Sequence, residues 1–485
     1  MEMERLGSRS DRIEAHGLRE VFASFLKNEA LGGIILFFAA LIAMIVANSP
    51  LSEHYFNFWH IRLGVEAQGL IHAFPNASWL ESLSAHSLGF GAEDGSFFVG
   101  FSIHQWISDV LMSVFFLMVG LEIKREVVAG ELASFKKAIF PALAALGGMI
   151  VPGIIYFALN AGTPSAHGFG IPMATDIAFA LGVIMLLKSR VPMALKVFLV
   201  TLAVVDDLGA IVVIAIFYAS GLHLGWLFLA VLLLCGLIAL NKFGIKSLTP
   251  YLCVGVLLWF AVHYSGIHAT IAAVAVAFCI PVRPKISFAE FAPLVKDTAD
   301  RFDEDEDNKG TQKFLSESQI ASLRAIRNSL KSVQSPLGRL ERALQPWAAF
   351  VIMPLFGFAN AGVSLSGADM DFGHIFSVDK VFLGVVLGLL IGKPLGIFLI
   401  TFVCEKIGIA ARPSGISWVQ ILGAGMLGGI GFTMSMFVSD LAFRGTEHFE
   451  IATNVSKIGI LSGSILSGIV GAVFLLLVSK VKKNT

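Results

Sequence analysis

The sequence predicts an all-α polytopic membrane protein of about twelve transmembrane helices, two of them interrupted. Three observations carry that reading. Of 485 residues, 56% are hydrophobic and only 14% charged, with mean hydropathy +0.79, whereas a soluble domain carries about 25% charged residues. The charges fall between apolar runs long enough to cross a bilayer as helices. A few ionisable residues nevertheless lie deep inside those runs, above all the adjacent pair Asp206-Asp207 within Val197–Ser220. Each acid at a helix centre costs roughly 2.5–3.5 kcal/mol to insert, so the pair should face a hydrated, protein-lined cavity rather than lipid.

In chain order the apolar segments are 31–47, 107–121, 138–159, 171–187, 197–220, 225–240, 249–264, 267–282, 347–363, 381–403, 417–442 and 457–479. They divide the chain into an N-terminal segment 1–30, a first membrane portion 31–283, a charged loop 284–345 and a second membrane portion 346–485. Phe outnumbers Tyr 41 to 5, which suits lipid-facing helices. Cys235, Cys253, Cys279 and Cys404 all fall in apolar stretches without C-x-x-C spacing, so they read as small buried residues rather than disulfide or zinc partners. No cleavable signal peptide is evident before the first apolar run near Leu31.

Lysine and arginine set the expected orientation. One set of loops carries Lys124, Arg125, Lys136, Lys137, then Lys188, Arg190, then Lys242, Lys246, then Lys406, Arg412, and finally Lys480, Lys482, Lys483. The alternate loops are nearly bare, since 48–106 has only Arg62 and 160–170 has none. Both termini are therefore expected in the cytoplasm, which an even number of spans satisfies. The insert 48–106 should be extracytoplasmic, with strand-like alternation at Trp59-His60-Ile61-Arg62-Leu63. The loop 284–345 should be cytoplasmic. Its acidic run Asp300 to Asp307 reads as a solvated linker, and the stretch through Ile320, Leu323, Ile326, Leu330 and Arg339 is weakly amphipathic.

Two segments look broken. One reads Gly170-Ile171-Pro172-Met173-Ala174-Thr175-Asp176, the other Gly423-Ala424-Gly425-Met426-Leu427-Gly428-Gly429-Ile430-Gly431-Phe432-Thr433-Met434-Ser435. An unwound stretch at membrane depth needs partners for its freed backbone groups, and glycine with buried Thr, Asp and Ser suits that need. Close packing through small residues explains the second segment as well, but gives Asp176 no purpose. The breaks occupy corresponding places in two trios of segments, 138–220 and 381–479, each next to a helix with a buried charge. That arrangement points to inverted-topology repeats with a binding site at the midplane.

The intramembrane ionisable residues are few: Asp176, Asp206, Asp207 and Lys393, with Asp109 and Glu122 near the ends of their segment. A lysine at membrane depth should pair or snorkel. Paired with either Asp206 or Asp207, Lys393 would leave the other carboxylate free for a cation or a proton. Hard cations such as Na⁺ want oxygen ligands. Desolvation and a neighbouring like charge both favour the neutral form of an acid, so such a group can trade a proton for a metal ion at cellular pH. Glu122 and Glu126 share a helix face and read, taken alone, as a solvated helix end.

Together these residues resemble the NhaA family of sodium/proton antiporters. The resemblance rests on Phe115–Glu126, Ala174–Gly182, Leu202–Ile211, Phe358–Val363, Gly392–Gly396 and Gly429–Ser435, in the family's order and across most of the membrane portion. The rule linking paired broken helices to a midplane site was drawn partly from this family, so the two agree rather than confirm each other. The resemblance implies that Asp207 is the main sodium ligand and proton carrier, and that Asp206 is its neighbour in the site and the partner of Lys393. It implies that Thr175 and Asp176 lie where two unwound chains cross, with Asp176 and Lys393 offsetting opposed half-helix dipoles. Glu122 and Glu126 match residues linked to pH activation, and Asp109 a further acid of the same helix. The loop 284–345 and the stretch before Asp109 are longer than usual for the family, which uses a β-hairpin there for dimer contacts. His268 is a candidate pH-linked histidine.

The expectation is thus an electrogenic, pH-regulated antiporter of a bacterial inner membrane, exchanging two protons for each Na⁺ and accepting Li⁺. It should be a homodimer in lipid, with no cofactor beyond its transported ions and no nucleic-acid partner. An intramembrane aspartyl protease would also need two buried aspartates, but on separate, facing helices and with a G-x-G-D string that is absent. A passive cation channel would use rings of acids or carbonyls and no lysine in its site.

Overall fold

A computed structural model describes residues 31–68, 92–93, 96–187, 190–219, 221–304, 315–364, 380–444 and 449–481. The predicted segment 1–30, much of the insert 48–106 and the acidic run from Asp305 to Asp307 lie outside those residues. Helices dominate, in the order α1 Leu31–Ala47, α2 Ser52–His60, α3 Ile103–Ala129, α4 Phe135–Asn160 and the half-helices α5 Pro164–Met173 and α6 Ile177–Leu186. After these come α7 Met193–Phe217, α8 Leu224–Lys242, α9 Leu248–Tyr264 and α10 Thr270–Cys279. Outside the spans lie α11 Phe288–Glu304 and α12 Glu317–Val333. The second portion is α13 Pro336–Ala361, α14 Val381–Ile407, the half-helices α15 Trp418–Gly428 and α16 Phe432–Ala442, and α17 Phe449–Val481.

Seven of these helices are long and apolar enough to cross a membrane singly, and three bent pairs qualify jointly. The other two predicted segments are α9, of 17 residues, and α10, of 10. Every predicted apolar segment therefore falls on a helix or a bent pair, and the chain is a multi-pass membrane protein. Helix α8 shows why composition revealed the class: only Ala230 and Leu237 of it are buried, and the apolar Phe228, Val231 and Leu232 face outward. A helix apolar all round has no watery face to present.

Some expectations are corrected. Trp59 and His60 close α2 instead of opening a strand, because Trp59 is buried one turn from Tyr55 and both rings meet Phe358, at 5.8 and 5.6 Å. Packing overrides the β propensity of that run, and the strand begins at Arg62. Strand β1 Arg62–Gln68 pairs antiparallel with β3 Ser96–Ser102, and β2 Ala92–Glu93 lies on the other side of β3. Ser102 then starts α3 with a reciprocal cap, accepting from Gln105 N while Gln105 Oε1 accepts from Ser102 N. Asp300 to Glu304 end α11 rather than forming a linker, and the backbone N–H groups of Lys285 and Ile286 tie the start of that hairpin to Ser332 O at the end of α12. Helix α13 runs unbroken from Pro336 across the expected loop boundary. Cys279 is buried as expected, but Cys235 and Cys253 are exposed on the outer face.

The helices pack in two groups. The two predicted trios, α4 to α7 and α14 to α17, form one, with α4 against α14, α5 and α7, and α17 against α14 and α15. Their axes approach until backbones touch: a methyl built on Gly396 would lie 2.0 Å from Gly147 O, a contact that only glycine permits. Helices α3, α8, α9, α10 and the start of α13 form the other group. The two groups meet chiefly where α3 packs on α7 and α13 on α16.

Candidate functional site: two broken helices and an aspartate pair

Within the predicted interrupted segments 170–180 and 423–435 the helices break at 174–176 and 429–431, and the two breaks meet each other. The first bends its pair of half-helices by 42° and the second by 52°. At the crossing Asp176 N donates to Ile430 O at 2.7 Å, so each break supplies a partner for a backbone group the other has freed. Ser435 Oγ caps Ile171 O at 2.7 Å in the same way.

Two helix N-termini face one another here, α6 and α16, and both aim their positive ends at Asp176. Its Oδ1 accepts from Phe179 N at 3.0 Å, and its Oδ2 accepts from Thr433 N at 3.2 Å and Thr433 Oγ1 at 2.5 Å. The carboxylate is fully buried yet well supplied with donors. The two opposed C-terminal ends, at Met173 and Gly428, are met by cation and hydroxyl: Lys393 Nζ donates to Met173 O at 2.5 Å, and Thr175 Oγ1 lies 2.9 Å from Gly428 O.

Lys393 does not snorkel. It is fully buried and bonded to Asp206 Oδ2 at 2.6 Å, to Thr175 Oγ1 at 2.6 Å and to Met173 O. A wide π-turn, Gly388–Gly392, immediately precedes it, and Pro394 follows. Such a turn shifts the rest of the helix face relative to the part before it. Thr175 Oγ1 also lies 2.6 Å from Asp206 Oδ2; having accepted from the ammonium, its single proton goes to Asp206 or to Gly428 O. Of the two pairings open for Lys393 in the sequence, the structure takes Asp206.

Asp207, one residue on and so about 100° round the helix, points elsewhere. It reaches a cavity of about 30 Å³ between the two helix groups, room for one or two waters. Phe115, Met118 and Val119 of α3, Met353 of α13 and Met434 of α16 make that lining apolar, and Glu122 is its other acid. Asp207 is 1% exposed, and its Oδ1 accepts no hydrogen bond among the described residues. An ionised oxygen so placed is costly unless a proton or a cation sits on it. A protease dyad would need the two acids facing each other; here one is neutralised by lysine and the other faces a separate pocket.

Glu122 and Glu126 meet at Arg125, whose guanidinium lies 3.8 Å from Glu122 Oε1, 3.2 Å from Glu126 Oε1 and 3.2 Å from Glu341 Oε1 of α13. Glu122 is therefore more than a solvated helix end: it links this surface cluster to the Asp207 cavity. Asp109 sits in a π-turn of α3 at the other end of that helix. It lies 3.6 Å from His268 Nε2 and from Arg444 Nη2, well away from the aspartate pair.

The sequence reading missed several partners. Thr433 lies in the quoted glycine string, and a hydroxyl beside a helix break was the available signal. Glu341 had none, because its partner Arg125 is remote in the chain. Asp440 and Lys457, at the ends of predicted segments, are both buried and lie 3.4 Å apart; opposite charges on successive spans were the clue.

The profile of the family described as Na⁺/H⁺ antiporter 1 matches residues 23–475. The chain belongs to that family. Among its NhaA relatives, one named Na(+)/H(+) antiporter NhaA from Helicobacter pylori (strain G27) is 56% identical over 467 residues, 96% of this chain and 97% of that protein. Na(+)/H(+) antiporter NhaA 2 of Helicobacter hepaticus is 54% identical over 469 residues, with the same coverage of 96% and 97%. Na(+)/H(+) antiporter NhaA of Wolinella succinogenes is 52% identical over 468 residues, 96% of this chain and 95% of its own. These NhaA relatives match nearly end to end, so the long loop and insert do not set the chain apart from all of the family.

Proposed function

We propose that the chain is an electrogenic Na⁺/H⁺ antiporter in which Asp207 carries either a proton or a sodium ion. The observation that carries the reading is the division of labour within the pair: Asp206 is neutralised by Lys393, while Asp207 has no ion pair among the described residues and lines a cavity. Only the second has a countercharge to gain. The names of the relatives support the choice of sodium, and the carboxylates of Asp207 and Glu122, set in an otherwise apolar lining, offer the oxygen ligands that a hard cation takes.

Occupancy by Na⁺ and by H⁺ is mutually exclusive at those oxygens, and that exclusion couples the two fluxes. Thr175, Asp176 and Lys393 fix the crossing and its dipoles around the pocket, and Asp206 holds the lysine. Two protons return for each Na⁺ expelled, so one net charge moves per cycle; Li⁺ is accepted at the same site. Glu122 and Glu126, with Arg125, form the approach through which pH acts on the pocket. The protein works as a homodimer in a bacterial inner membrane, and the distribution of lysine and arginine among its loops supports both termini in the cytoplasm.

Purified protein in proteoliposomes tests this. An imposed pH gradient, inside acidic, should drive ²²Na⁺ uptake with proton release, and clamping the membrane potential at zero with valinomycin and K⁺ should change the rate. Sodium uptake that ignores the pH gradient would leave a channel; an electrically silent exchange would remove the unequal stoichiometry.

A further inference from the structure

Beyond the aspartate pair, the described residues hold a second buried polar network, at the opposite end of α3 from Glu122. Residues 109 and 122 are about 20 Å apart along that helix, and the Asp207 cavity lies beside Phe115 to Glu122. Asp440 is two residues from the end of α16, about 9 Å past Met434, which lines the cavity.

Between cavity and network stands a layer of rings. Phe437 of α16 meets Phe116 of α3 at 5.2 Å and Phe356 of α13 at 6.3 Å, with His268 against its other side at 5.3 Å. All three phenylalanines are at most 1% exposed. Outside this layer the two helix groups are held by charge. Arg444, just past α16, lies 3.6 Å from Asp109 of α3. Lys457 of α17, paired with Asp440, reaches Asn360 of α13 at 3.5 Å, and His104 of α3 meets the same Asn360 oxygen at 3.1 Å.

We propose that this double closure is the gate on the side of the ion site opposite Glu122. The Asp109–Arg444 and Asn360–Lys457 contacts part, and Phe437 withdraws from Phe116 and Phe356, when the site turns to that side. The inference rests on the transport reading above.

The physical case is that the Asp109–Arg444 contact joins α3 of one helix group to the end of α16 in the other, whereas each group is held internally by extensive helix packing. The Asp109–Arg444 contact can break in every cycle because its guanidinium already meets water. Arg444 is half exposed, so its charge is rehydrated at once on opening, and buried Asp109 keeps His268 Nε2 at 3.6 Å. Phe437 has no polar group to strand when it moves.

Arg444→Gln in otherwise native protein provides the test, read as the half-saturating Na⁺ concentration at each membrane face in proteoliposomes of defined orientation. Weakening the closed gate favours the state open to the far side. Half-saturation at the far face should fall about two- to fivefold, and that at the Glu122 face should rise by a similar factor. Arg444→Lys should restore the native values, which a purely packing role would not predict. Phe437→Leu should shift both faces in the same directions as Arg444→Gln, and serves if that variant does not reach the membrane. Values unchanged at both faces, or moved in the same direction at both, would overturn the gate. Absence of exchange in the native protein would instead overturn the transport reading.

Discussion

Asp207→Asn is expected to reduce sodium-dependent proton release from inverted vesicles to the background of protein-free vesicles. The amide keeps the shape of the side chain and the apolar lining from Met118, Met353 and Met434. It neither carries the charge that binds a cation nor releases a proton at any pH in the working range. The loss should therefore be one of function without a comparable loss of fold. Folding should not suffer, because the native carboxylate has an oxygen without a donor among the described residues, and removing an uncompensated buried charge relieves a cost. Thermal stability in detergent should stay level or rise. Exchange that survives in Asp207→Asn would take the residue out of the role assigned to it.

Lys393→Ala is expected to act on stability and on pH together. Its ammonium is the countercharge of Asp206 and a donor to Met173 O, at a site with no solvent exposure. Breaking a buried pair by removing one partner costs about 3–5 kcal/mol. A thermal scan should show a clear drop, and any remaining exchange should move to more alkaline pH. The direction follows because every ionised state of the pocket has lost a positive neighbour, so a lower proton concentration is needed to reach it. Replacing both partners, as Asp206→Asn with Lys393→Met, should recover most of the stability while leaving transport impaired. An unchanged pH profile in Lys393→Ala would mean that the lysine is a strut and not part of the electrostatics.

Much of the fold was legible because the bilayer imposes a length and a composition on each span. Helix α8, nearly uncovered by protein, is the plainest example. The breaks at Thr175-Asp176 and Gly429-Ile430 were legible for a different reason: glycine runs and a buried acid are of little use to an unbroken helix. What was not legible depends on packing between remote segments. Trp59 reads as strand until Tyr55 and Phe358 are seen against it. Whether Lys393 would choose Asp206 or Asp207 was a matter of helix rotation, which α7 and the π-turn at Gly388–Gly392 decide. Arg125 and Glu341 meet only because α3 and α13 lie side by side. Cys235 and Cys253 are exposed and Cys279 is buried because neighbouring helices cover α8, α9 and α10 differently, which residue spacing does not reveal.

The core of the account is that Na⁺ and H⁺ compete for the same carboxylate oxygens. Calorimetric titration of Na⁺ into the purified protein, repeated across a pH series, measures that competition. Acidification should weaken Na⁺ binding by about tenfold per pH unit if one proton is displaced, and about a hundredfold if two are. Protons should be released in matching number, seen as a dependence of the heat on buffer ionisation. A sodium affinity that stays constant across the series, with no proton release, would contradict the account.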